Sequence, residues 1–155
     1  MRESGGMATA AKKWTVRFAG TEGELERCYR AMVELRPHLS CGEFIKAVRR
    51  QDEQDGYRLV YVEDDDDVMG VAGFRIMQML LTGRVLYVDD LVIVEERRSR
   101  GYGAFLFNWL VHYATAQECK TLELDSAVQR AAAHRFYFRQ RMHIASYHFR
   151  LKVNE

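Results

Sequence analysis

Cysteine is scarce in this 155-residue chain: Cys28, Cys41 and Cys119 are an odd number at no metal-ligand spacing. That argues against a disulfide scaffold and a thiolate metal site, and the thiols read as reduced, as in the cytoplasm. Charge of one sign is equally scarce, since 23 basic side chains stand against 22 acidic ones for a formal net charge of +1. No bulk attraction to nucleic acid or to an anionic membrane follows, so any partner must be chosen by a local site. No window approaches about 18 uninterrupted apolar residues, and the first residues lack the apolar stretch of a signal peptide, which argues against spanning or secretion. What is present is apolar material, 48% of the chain. At this length folding withdraws roughly 68–70% of the unfolded surface from water, so one domain is expected to hold without disulfide or metal.

Residues 1–13 are Gly, Ala and charge without apolar periodicity, with Met7 as an internal candidate start. They are expected to be disordered, leaving residues 14–155 as the domain. Trp14-Thr15-Val16-Arg17-Phe18 alternates as a half-buried strand does, and Thr21 is placed to cap a helix running to about Leu35, which Pro37 ends. Ser40-Cys41-Gly42-Glu43 reads as a capping box opening a second helix over Phe44, Ile45 and Val48. Residues 57–62 and 68–80 then alternate with period two, and Glu63-Asp64-Asp65-Asp66-Asp67 between them reads as a solvated hairpin turn without the spaced ligands of a calcium loop. In residues 85–94 the run Leu91-Val92-Ile93-Val94 is continuously apolar, as in a central strand covered on both faces.

Tyr102, Leu106, Trp109, Leu110 and Tyr113 recur at helical spacing and predict a helix over 103–118. A short strand over 121–124 follows closely enough to run parallel to 85–94 through a crossover, and a helix over 131–139 leads to terminal strands over 142–144 and 147–153. The expected fold class is therefore α/β (α+β): a single domain with a mixed central sheet of about seven strands flanked by about four helices, in the order β-α-α-β-β-β-α-β-α-β-β.

The most specific segment is Arg98-Ser99-Arg100-Gly101-Tyr102-Gly103-Ala104, between the apolar strand and the amphipathic helix. Small residues let a ligand approach the backbone, the first amides of a helix are unpaired, and its dipole favours an anion. Two arginines add donors suited to phosphate oxygens. This reads as a pyrophosphate cradle, with an ordinary strand-to-helix turn as the plain alternative. The loop lacks the Gly-Lys-Ser/Thr of a P-loop, and Leu106 occupies the third glycine of a dinucleotide fingerprint, so nucleotide hydrolysis and hydride transfer are disfavoured.

The stretch from Val85 to Gly103 closely resembles the acetyl-CoA motif of the GNAT family of N-acetyltransferases, and Ala133-His134-Arg135-Phe136-Tyr137 is similar to the family's second motif. The element order fits that family over almost the whole chain from Trp14. The resemblance implies a V-shaped opening between the strands 85–94 and 121–124 that takes acetyl-CoA. Backbone amides at Leu91, Val92, Ile93 and Val94 would bind pantetheine and polarise the thioester carbonyl, and residues Arg98, Ser99, Arg100, Gly101, Tyr102, Gly103 and Ala104 would hold the pyrophosphate. Arg130 stands where the family often has Asn, and Met142-His143 where it often has Gly-Phe; Arg130 would serve a CoA phosphate. Tyr137 matches the family's general acid.

Asp89-Asp90-Leu91 looks like the segment of the polyamine and thialysine acetyltransferases whose first acid is the base, so Asp89 is the first candidate. Strand alternation allows only one of Asp89 and Asp90 to face the cleft. Asp125 and Ser126 fall at its mouth as candidate substrate-binding residues, Asp125 being the alternative anchor for an amine. His134 shares the helix of Tyr137, as packing or as part of a proton path. A Cys119 nucleophile is disfavoured because it precedes its strand, remote from the ligand-binding carboxyl ends.

The expected activity is acetyl transfer from acetyl-CoA, without a metal, to the primary amine of a small molecule or peptide by direct attack in a ternary complex. A non-catalytic acyl-CoA-binding sensor is the alternative; a nucleic-acid module resting on Arg97, Arg98, Arg100, Arg139 and Arg141 is weaker. A cytoplasmic location is expected, with no membrane or nucleic-acid partner. The possible edge strand 147–153 offers a homodimer as one candidate assembly, and the sequence does not fix the oligomeric state.

Overall fold

In the computed structural model residues 14–155 are described, and the disorder expected of residues 1–13 lies outside them. The elements are β1 (Thr15–Phe18), α1 (Glu22–Leu35), α2 (Cys41–Asp55), β2 (Arg58–Asp64), β3 (Asp67–Met79), β4 (Gly83–Ile93), α3 (Tyr102–Ala116), β5 (Thr121–Leu124) and α4 (Ala131–Arg139). Local chemistry sets the helix starts. Thr21 and Ser40 each accept from the backbone N–H three residues on, while Glu24 and Glu43 accept from the cap residues' own N–H groups. Gly56, left-handed at φ 68°, closes α2.

The strands form one sheet in the order β1-β2-β3-β4-β5. The first four run antiparallel to their neighbours, and β5 joins β4 in parallel after the α3 crossover. Each face has its own core. Leu25, Cys28, Phe44 and Ile45 of α1 and α2 pack with Val71, Val92 and Val94 on one face, and Leu106 and Leu110 of α3 pack with Val60, Phe74, Leu86 and Val88 on the other. The carboxylate run turns the β2–β3 hairpin through Asp65 and Asp66, left-handed at φ 51° and 65°. Its flanks are not idle: Glu63 accepts from Arg27 at 2.5 Å, and Asp64 accepts from the Tyr102 hydroxyl at 2.6 Å.

Among the described residues the sheet has five strands where about seven were expected. The two missing ones are the terminal strands over 142–144 and 147–153, where the chain takes no regular secondary structure, and every residue after Met142 is exposed. Periodicity reports a side-chain pattern suited to a sheet and does not supply the neighbour that completes one. No helix among the described residues is long and apolar enough to cross a membrane.

Candidate active site

The opening between β4 and β5 arises from unequal strand lengths. β5 pairs with β4 from Val85 to Val88 and stops at Leu124, whereas β4 continues to Ile93 with β3 alone beside it. From Asp89 onward one edge of β4 therefore has no strand partner among the described residues, leaving outward amides among Leu91, Val92 and Ile93 available to a ligand.

The register of β3 against β4 slips at the same point: Phe74 faces Val88 and Gly73 faces Asp90, so Asp89 is an extra, bulged residue. The bulge reverses the alternation. Before it Leu86 and Val88 pack toward α3, and after it Val92 and Val94 pack toward α1 and α2. The expectation that Asp89 and Asp90 point to opposite faces is thereby corrected, because both line one cleft of about 560 Å³, together with Arg36, Gln51, Tyr57 and Tyr87.

Neither carboxylate stands alone. Asp89 accepts from Arg75 through both oxygens, at 2.5 and 3.1 Å, and Arg75 also donates to the Gln51 side chain at 2.9 Å. Asp90 accepts from Arg36 Nε at 2.8 Å and from the Tyr57 hydroxyl at 2.8 Å. Burial raises the Asp89 pKa above the usual carboxylate value, against the lowering effect of Arg75. The Tyr57 phenol is driven up by burial and then by Asp90, so it stays a donor at neutral pH. Arg75, Arg36 and Tyr57 were missed in the sequence. The one available signal was Gly73, two residues before Arg75: a Cβ there would lie 1.7 Å from the Tyr57 oxygen, so its bareness admits the phenol that reaches Asp90.

At the end of β5 the Tyr87 hydroxyl donates to Asp125, and burial, then Asp125, raises the Tyr87 pKa. His148 Nδ1 approaches Asp125 at 3.5 Å. Ser126 Oγ is buried with no hydrogen-bond partner among the described residues, an orphaned hydroxyl beside the opening.

The segment joining β4 to α3 makes one 3₁₀ turn over Glu95–Arg97 and enters the helix through Ser99 at φ 61° and Gly101 at φ 95°. Gly101 has no side chain to cap α3, so the first amides of the helix, at Tyr102, Gly103 and Ala104, lack a side-chain acceptor. A Cβ on Gly101 would meet Trp14 no closer than 3.5 Å, so backbone conformation rather than crowding calls for glycine. Arg98 braces this loop through Nε to the Ile93 carbonyl at 3.1 Å, and Arg100 is exposed. The Tyr102 ring is buried against Trp14, with centroids 4.3 Å apart, so this residue offers the site its backbone and not its side chain.

On α4, Phe136 lies 3.3 Å from where a Cβ of Gly103 would be and packs edge-on to Phe107 at 6.0 Å, which seats α4 against the start of α3. Tyr137 follows, half-buried, its hydroxyl without a hydrogen-bond partner among the described residues and its pKa raised by burial. His134 Nε2 is 2.9 Å from the Ala127 carbonyl and fastens the β5–α4 loop, while Arg130 is exposed at the start of α4. Cys119 precedes β5, at the end opposite Asp125. No group of three metal-ligating side chains occurs among the described residues.

Residues 22–143 match the Acetyltransferase (GNAT) family, and the chain belongs to that family. A curated relative, the uncharacterized N-acetyltransferase YhdJ of Bacillus subtilis strain 168, is 28% identical over 131 residues, covering 84% of this chain and 92% of the relative. Among solved structures, an acetyltransferase of Trypanosoma brucei superposes with TM-score 0.73 at 20% identity, covering 91% of this chain and 100% of its own. The aminoglycoside N-acetyltransferase AAC(6')-Iy in complex with CoA gives TM-score 0.80 at 13% identity, covering 95% and 99%. These two share the fold.

Proposed function

We propose that the protein moves an acetyl group from acetyl-CoA to a primary amine while both are bound. The observation that carries this reading is the coincidence of a free β4 edge beyond Val88 with an uncapped α3 whose entry residue, Gly101, is left-handed. Amides of Tyr102, Gly103 and Ala104, the helix dipole and the guanidinium of Arg100 suit a pyrophosphate, with Arg98 bracing the loop through the Ile93 carbonyl. Outward amides among Leu91, Val92 and Ile93, with Val94 behind them, suit pantetheine and a carbonyl oxygen that gains charge. Arg130 is available to a further phosphate, and the orphaned Ser126 hydroxyl to a polar group of either substrate.

When bound, acetyl-CoA supplies a thioester carbon open to attack and a thiolate leaving group. Tyr137, neutral through pH 7 because burial raises its pKa, donates the proton the departing sulfur needs. Asp89 accepts the proton that a cationic amine must lose, and burial makes it a stronger base than a solvated carboxylate although Arg75 holds it in place. Asp90, committed to Arg36 and Tyr57, positions the wall of the cleft. Asp125 is the anchor for the ammonium group.

The test is a titration of EDTA-treated protein with acetyl-CoA, followed by a panel of amines assayed for CoA release: polyamines, thialysine-like amines, aminoglycosides and peptide N-termini. Binding with turnover of at least one amine is expected. Binding without turnover across the panel would favour the sensor alternative, and no binding would sink both.

A further inference from the structure

The cleft that takes Asp89 and Asp90 has a second half that neither carboxylate occupies. Phe44, Ala47, Val48 and Gln51 stand three or four residues apart on α2 and so share the helix face that lines it, with Met32 of α1 and Leu39 of the connecting loop also in the wall. Gln51 ties this face to the carboxylates, since its side chain accepts from the same Arg75 that holds Asp89. Tyr87 lines the cleft as well and donates to Asp125, so the reacting end is marked on both sides. At about 560 Å³ the whole has the size of a small-molecule site.

Two aspartates make the cleft look acidic, but each is compensated. Asp89 is paired with Arg75 and Asp90 with Arg36, while Asp55, which approaches Arg75 at 3.8 Å, is outside the lining. Arg50 and His38 remain. Both are exposed, both line the cleft, and neither has a hydrogen bond or ion pair among the described residues, whereas the adjacent Arg49 is paired with Glu22. The uncompensated charge of the cleft is therefore positive. It is carried by a guanidinium, whose fork of donors matches a carboxylate. An amine that is cationic along its length, such as a polyamine, would set like charge against Arg50.

We propose that the acceptor is a small zwitterion, with a primary amine at one end of an apolar stem and a carboxylate at the other. The amine lies at Asp89, the stem runs along the Phe44, Ala47 and Val48 face, and the carboxylate accepts from Arg50 with His38 beside it. The amine end rests on the acetyl-transfer reading; the acid end rests on the unpaired Arg50 alone. Apolar contact with the stem supplies affinity, and the charge at Arg50 chooses among amines of equal stem. Arg50 determines specificity without touching the reacting atoms, so its effect falls on KM more than on kcat.

Three amines with the same six-carbon stem isolate the tail: 6-aminohexanoate, hexylamine and 1,6-diaminohexane end in a carboxylate, a methyl and an ammonium group. In a CoA-release assay kcat/KM should fall in that order, by roughly tenfold from the first to the second and chiefly through KM. Arg50→Glu, at an exposed helix position, should reverse the order of the two charged tails. Equal values for the three amines, an order unchanged in Arg50→Glu, or failure with all three by protein that acetylates another amine would overturn the proposal and leave acetyl transfer standing. A binding readout is independent of turnover. In ligand-detected NMR without CoA, 6-acetamidohexanoate should receive magnetisation from the wild-type protein and several-fold less from Arg50→Glu. That difference in protein that does not bind acetyl-CoA would sink the acetyl-transfer reading and keep the carboxylate site, whereas equal transfer from the two proteins would overturn the site.

Discussion

At Tyr137 the ring packs beside Phe136 while the hydroxyl has no protein partner among the described residues, which separates shape from proton supply. Tyr137→Phe should therefore bind acetyl-CoA as the wild type does and turn over roughly ten- to a thousandfold more slowly, in calorimetry and a CoA-release assay respectively. Because its pKa lies above the usual value of about 10, wild-type kcat should show no loss attributable to this phenol below that pH. Asp89 titrates on the opposite side. Its raised pKa means that kcat/KM falls on acidification at a pH above the ordinary carboxylate range, as the group becomes protonated and ceases to accept. Asp89→Asn should lower kcat/KM most at neutral pH and progressively less as alkali supplies the free amine; an unchanged profile would remove Asp89 from the base role. The same profiles for Asp90→Asn and Asp125→Asn separate a base from an anchor, since loss of an anchor raises KM and spares kcat. Both adjacent aspartates belong in the comparison because the bulge turns them into one cleft.

At the scale of elements, the loop before α3 depends on the left-handed conformation at Gly101. Gly101→Val should weaken acetyl-CoA binding by strain that moves the first amides of α3, not by filling the site, since Trp14 leaves room for a Cβ. A calorimetric affinity equal to wild type in a folded Gly101→Val protein would refute this. The helices and the first five strands were legible in the sequence because each carries its own signal: capping residues at Thr21 and Ser40, period two in β2 and β3, and helical spacing in α3. The loop was legible for the same reason, its glycines and arginines being contiguous. The carboxylate partners were not, because Arg36 and Arg75 reach Asp90 and Asp89 from distant elements, and no local pattern marks a bulge. The terminal strands failed differently: the alternation is in the sequence, and no strand of the described sheet pairs with it.

For the molecule as a whole, the two cores share one sheet, so their stability is expected to be lost together. Cys28, fully buried between α1 and the sheet with its thiol pushed up to about 12 by burial, is a reporter of that event. In native protein a thiol reagent should modify half-buried Cys41 and Cys119 well before Cys28. The Cys28 rate should rise with denaturant in parallel with global unfolding measured by circular dichroism; fast labelling of Cys28 in native buffer would show that α1 opens by itself.

The extra residue at Asp89 acts on β4 as a frameshift acts on a coding strand. Side chains upstream and downstream are read in opposite phase, which lets Val88 belong to one core and Val92 to the other although their positions have the same parity. Strict alternation with both aspartates kept would turn Val92 and Val94 out of the core beneath α1 and present Leu91 and Ile93 there instead, whereas deleting one aspartate removes the extra residue and leaves Leu91 to Val94 on the faces they already occupy. The extra residue thus places a second carboxylate in the cleft without disturbing either core, and its deletion should cost the cleft one carboxylate and its bonds while the fold survives.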